Sequence, residues 1–195
     1  TVSVAPSDTE TEAGLMVGGA SNAVLAKYKM TAINEELKLT KVQLNVATAT
    51  GASSLSLYDG STLVGGPVSV NGAGMAAFTG MSFVIPKDSS KVLTVKGNLN
   101  SVGASGATSG SNVRVQIDPT TGTFEARGTS AGSSTLLTDA NDNGAAAASG
   151  FTLTGTGAAA IVAVPGNVKL LRKSKPTFSL VSLPSTLLTT GGIVV

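Results

Sequence analysis

The stretch 36-ELKLTKVQLNVAT-48 decides the fold class. Leu37 and Leu39 fall on one phase of a two-residue alternation, and Val42, Leu44 and Val46 fall on the opposite phase. A helix would repeat its apolar residues every three to four positions, so period two identifies a strand. A phase change inside a strand marks a bulge or a passage between sheets.

The same alternation extends in both directions. Val24, Ala26, Tyr28 and Met30 share one face of an upstream strand, with Lys27 and Lys29 on the other. Downstream, 54-SLSLYDGSTLV-64 reads as a hairpin, because Asp59-Gly60 supplies a turn that needs positive φ. Met81, Phe83 and Ile85 alternate before Pro86, Leu93 and Val95 after it. Val113, Val115 and Ile117 follow and end in the turn 118-DPTTG-122. Further candidates are 150-GFTLTG-155, 159-AAIVAVP-165 and 167-NVKLL-171. Roughly ten short strands at this spacing predict an all-β sandwich. Residues 100–111 read as a flexible loop, and 128–150 as a long loop with a polyalanine part.

Composition narrows the function. The 195 residues suit one domain, with formal charge +2 and 12% charged residues, too weak a balance for nucleic-acid binding. Cysteine, histidine and tryptophan are absent, which removes the thiolate nucleophile and the commonest general base and metal ligand, and argues against an enzyme. No apolar run approaches the roughly 18 residues of a membrane span. The chain opens at Thr1 without a leader, and a signal peptide cleaved upstream or an excised fragment is the expectation. Abundant Gly, Ser, Thr, Ala and Val with sparse charge suit sheets joined by glycine turns, the composition of many secreted surface proteins.

Two segments carry a family resemblance. 56-SLYDGSTLVGG-66 followed by 76-AAFTGMSFVIPKDSSKVLTVKGNL-99 resembles the Ig-like β-sandwich repeats of bacterial surface and surface-layer-type proteins. In those repeats an LYDG hairpin precedes an F-x-G strand pair ending in IP, then a K-x-L-x-V-K strand. The segment 176-PTFSLVSLPS-185 resembles the start of a following repeat. The likeness spans residues 24–117 and the tail. It implies an antiparallel Ig-like sandwich with an extracellular structural role in a surface layer, fibre or sheath, and supplies no catalytic residues.

The tail repeats the head. Without gaps, 1-TVSVAPSDTETEAGLMV-17 lies over 179-SLVSLPSTLLTTGGIVV-195 at a constant offset of 178 residues. Pro6/Pro184, Ser7/Ser185, Thr11/Thr189, Gly14/Gly192 and Val17/Val195 are identical. Either the next unit of a tandem array begins here, or the tail is a strand shaped for an equivalent slot in another copy. An ordinary last strand is the third reading. No charge follows Lys175, so an exposed tail bearing Phe178, Leu180, Val181, Leu183, Leu187, Leu188 and Ile193 would invite aggregation and must be buried.

Charge placement is compatible with contact between ends. Asp8, Glu10 and Glu12 stand in the head; Lys169, Arg172, Lys173 and Lys175 precede the tail. They are candidates for steering register between subunits, though charge runs are commonly solvated faces. A metal candidate is 139-DANDNG-144, where Asp139, Asn141 and Asn143 match the first half of a calcium loop. Gly150 stands where the bidentate Glu belongs, so a plain turn is the stronger reading and no cofactor is expected. Glu35 and Glu36 are adjacent and poorly paired for hydrolysis; Asp118 and Glu125 flank a turn across which they could approach each other, but read as solvated surface.

The expectation is a sandwich domain over 1–176 and a C-terminal extension strand over 177–195. Its expected role is a self-assembling extracellular subunit of a filament, sheath or surface layer, joined head to tail to copies of itself. The alternative is an adhesin or carbohydrate-binding module, one repeat of a longer surface protein.

Overall fold

The computed structural model describes residues 2–6, 8–118, 123–128, 136–138, 164–176 and 179. Its strands, in chain order, are β1 (Val2–Val4), β2 (Gly14–Val17), β3 (Ala23–Thr31), β4 (Leu37–Val46), β5 (Ala52–Asp59), β6 (Thr62–Ser69) and β7 (Met75–Ile85). There follow β8 (Ser90–Leu99), β9 (Val115–Ile117), β10 (Phe124–Gly128), β11 (Leu136–Thr138), β12 (Val164–Pro165) and β13 (Lys169–Arg172). The fold is all-β. Among the described residues no helix is long and apolar enough to cross a membrane.

Two antiparallel sheets enclose one core. The first has the order β1-β3-β8-β5-β6. The second is built on β4, which takes β7 along one edge and β10, then β9, along the other. β11 flanks β10, and β12 flanks β9. Leu25, Tyr28, Leu55, Leu57, Leu93 and Val95 of the first sheet meet Leu39, Val42, Leu44, Phe78, Phe83 and Phe124 of the second. Tyr28 lies wholly inside, and its hydroxyl crosses to the carbonyl of Val115 at 3.0 Å. Burial pushes this phenol far above its ordinary pKa, so it stays a neutral donor.

The phase slip in β4 is a bulge at Thr40. On β7, Leu39 pairs with Phe83 but Lys41 with Thr79; on β10, Ala126 faces Leu39 and Glu125 faces Lys41. Gly80, at φ +66°, gives β7 the left-handed residue that lets it follow the step. With the slip absorbed, Leu37, Leu39, Val42, Leu44 and Val46 are all buried. The Asp59-Gly60 hairpin joins β5 to β6, with Gly60 at φ +60°.

Three expectations change. In β3 a second bulge falls between Val24 and Ala26, so Leu25 enters the core and Val24 is only half-buried. The register allows this because Gly97, on the neighbouring strand, leaves room: a Cβ there would stand 2.7 Å from Leu25 Cδ1 and 3.1 Å from Leu55 Cδ2. Residues 100–111 form a built loop, not a loose one. Ala107 is wholly buried, its N–H bonds the Ser101 carbonyl, and Gly110 N–H bonds the Leu171 carbonyl. Backbone bonds, the Ala107 methyl and the half-buried Val102 order this loop. Lastly, β13 and β2 pair in parallel, an exception to the antiparallel plan.

The candidate strands at 150–155 and 159–163, and the loop at 129–135 and 139–150, lie outside the described residues.

Two substitutions test this packing. Gly97→Ala should cost about 1–3 kcal/mol, because Leu25 and Leu55 are fully enclosed and their methyls have nowhere to move. Tyr28→Phe should cost only about 1 kcal/mol, because the Val115 carbonyl keeps the Gly166 N–H at 2.7 Å. Both are read from urea denaturation midpoints.

Candidate assembly site

Residues 2–6 and 8–18 form a strip that starts along one edge of the first sheet. β1 pairs with the last part of β3, placing Val2 opposite Met30 and Val4 opposite Tyr28. Ala5 N–H continues the ladder to the Lys27 carbonyl at 2.9 Å. Asp8 then caps a tight turn, its Oδ1 accepting from the N–H groups of Glu10 and Thr11 and from the Thr11 hydroxyl. Thr11 is buried, and the chain straightens into β2.

Two lysines hold this strip. Lys27 Nζ, from β3, donates to Asp8 Oδ2 at 2.5 Å and to Glu10 Oε2 at 2.8 Å. The Lys27 bond holds the Asp8 carboxyl at about 2, with the Thr11 bonds assisting against partial burial. Asp8, and then Glu10, raise the Lys27 ammonium above the ordinary lysine value. From the other side Lys169 Nζ donates to the backbone carbonyls of Glu10, at 2.7 Å, and Glu12. Burial pushes Lys169 below its ordinary value, while Asp8 and Glu12 pull the other way. Asn167 Nδ2 bonds the carbonyl of Thr11 at 2.9 Å. The C-terminal grip therefore takes hold of three consecutive carbonyls, those of Glu10, Thr11 and Glu12.

The sequence-level charge candidates resolve unevenly. The two opposite runs come together within one chain: Asp8 and Glu10 pair with Lys27, while Asp8 and Glu12 act on Lys169 through their charge. Lys169 grips backbone, and Arg172 Nη1 reaches Ser109 Oγ at 3.2 Å. Glu12, Lys173 and Lys175 remain exposed. Lys27 and Asn167 were not among the candidates, because nothing local in the sequence connects them to residues 8–12. Phe178, Leu180, Val181, Leu183, Leu187, Leu188 and Ile193, and the calcium candidates Asp139, Asn141 and Asn143, lie outside the described residues.

The two carboxylates flanking 118-DPTTG-122 take different partners. Asp118 is 4% exposed, not solvated, and accepts from Gln43 Nε2 at 2.5 Å. Glu125 turns to Lys41 at 3.6 Å.

β2 leaves one edge without a strand partner among the described residues, and it exposes Leu15 and Val17, 42% and 39% accessible. No family model matches the chain, and neither a curated protein nor a solved structure matches it. The site rests on its own geometry.

That geometry has a pH signature. Asp8 has its pKa depressed from 3.8 to about 2, so its contribution is present above pH 4 and is lost as pH falls toward 2. Asp8→Asn should flatten the acid limb of the stability curve between pH 4 and 2, relative to the unsubstituted chain. Thermal midpoints across that range provide the measurement.

Proposed function

We infer that this chain is an extracellular structural subunit that assembles head to tail by strand addition. One observation carries the reading: the first and last described strands end at opposite ends of the sandwich. Val2 enters beside Met30, near the end of β3. At the other end, the Arg172 carbonyl accepts from Gly18 N–H, and Gly19 N–H bonds the Asn100 carbonyl, just past β8 and next to the start of β3. Ala23 and Met30 lie about 23 Å apart at ~3.3 Å per residue. A chain that leaves where the next copy would begin suits a linear array; a chain whose ends meet would not.

Two further features support it. The tail repeats the sequence of the entering segment, and it carries no charge to blunt a free edge. Strand addition would bury it through backbone hydrogen bonds, with alternate apolar side chains giving register. Sparse charge and glycine-rich turns fit a secreted lattice or fibre component.

The test is deletion of residues 177–195. The 195-residue chain should form linear polymers by electron microscopy, with an axial repeat no shorter than about 33 Å, the length of a ten-residue strand such as β4 or β8. The shortened chain should sediment as a monomer. A 195-residue chain that stays monomeric at high concentration, or a shortened chain that polymerises normally, would overturn the reading.

A further inference from the structure

We propose that the slot along β3 and β13, filled here by residues 2–6 and 8–17, is the acceptor for residues 179–195 of a second copy. The head is thus a displaceable cap. This rests on the assembly reading above and names its site.

The first argument is where the repeat matches. Among the described residues, every buried or core-packed position of the head has a counterpart of like polarity at the 178-residue offset: Val2/Leu180, Ala5/Leu183, Thr11/Thr189 and Met16/Val194. Of these only Ala5 meets a much larger residue, close to where Val4 already reaches the surface. The positions that change most are the acids. Asp8, Glu10 and Glu12 become Thr186, Leu188 and Thr190. The repeat therefore keeps the polarity of the enclosed positions, along with the exposed Pro6, Gly14 and Val17, and drops the three acids.

The second argument is how the slot grips. Lys169 and Asn167 bind the carbonyls of residues 10, 11 and 12, which any extended segment with the same register presents. β3 likewise offers β1 a backbone ladder. Of the contacts holding the strip, the Lys27 pairs with Asp8 and Glu10 are the side-chain ion pairs that the tail cannot reproduce.

The two occupants thus differ in kind. The head is held partly by ion pairs whose acids are 44% and 58% accessible, and salt screens such pairs. The tail exchanges that charge for leucine. Once released, an acidic head is stable in water, whereas a released uncharged tail is not. Direction also agrees: a donor tail leaving one sandwich beside Gly18 meets the next at its Met30 end, then runs the length of the slot in the direction of β1 and β2.

The chain has no cysteine, so paired cysteines report occupancy without interference. Ser3 and Lys29 are directly opposed partners, a placement a disulfide can bridge. Full-length Ser3→Cys/Lys29→Cys, oxidised, should lock the head and stop assembly, with assembly restored by reductant. Full-length Val181→Cys/Lys29→Cys should yield a ladder of disulfide-linked multimers when its polymers are oxidised. Asp8→Asn/Glu10→Gln should polymerise roughly two- to tenfold faster at low salt and lose the salt acceleration expected of the unsubstituted chain. If the unsubstituted chain polymerises but the oxidised Ser3/Lys29 variant does so equally well, the slot assignment is wrong while head-to-tail assembly stands. If the unsubstituted chain never polymerises, the assembly reading falls first.

Discussion

β3 is nine residues long and has β8 along one side, so its other edge presents backbone groups that another segment must meet. β1 meets them over three residues, and Ala5 adds one more bond at Lys27. Much else in the molecule follows from finishing that edge. The turn at Asp8 carries the chain past Lys27; β13 comes alongside β2 to hold the strip's second half; and the loop 100–111 packs against β13 in turn. Remove the strip, and an open edge stands next to a core containing Leu25, Tyr28 and Met30. Natural sheets seldom leave such an edge uncovered, because it templates association.

Strand character was legible because it is local. Alternation in β4, β7 and β8 placed Leu39, Val42, Phe83 and Leu93 inside without any knowledge of partners, and the phase slip located the Thr40 bulge. The bulge in β3 was not legible. Its cause is Gly97, more than 70 positions away, and a glycine among polar neighbours gives no sign of which side chain it makes room for. The loop at 100–111 failed for another reason. Composition measures apolar area, but that loop is ordered largely by backbone bonds, some within it and some to Leu171 and Gly51, with Val102 and the small Ala107 packed against the core.

The charged residues show the same division. Opposite runs could be seen in the sequence, and the segments that carry them lie next to each other where β13 pairs with β2. Which charge finds which partner depends on tertiary placement. Lys27 looked like the solvent face of a strand, yet it collects both acids of the turn. Lys169 looked like a surface cation, yet it is 5% exposed and binds carbonyls. A buried ammonium is costly unless its donors are satisfied, and backbone carbonyls do this without a second desolvated charge.

That choice of partner bears on register. A one-residue slip turns every side chain of a strand to the opposite face, so a second segment fits the same slot only if its buried positions keep their spacing from end to end. Residues 179–195 meet this condition without a gap across 17 positions, with proline, threonine and glycine holding the same places. Pro6 stops the β1 ladder, Thr11 fills the buried turn, and Gly14 opens β2. These three punctuate the path, whereas the acids only secure it. A segment that keeps the punctuation and drops the acids keeps the shape of the head without the ion pairs that tie it to Lys27. Competition for the slot is then decided by apolar area against screened charge, two terms that ionic strength moves in opposite directions.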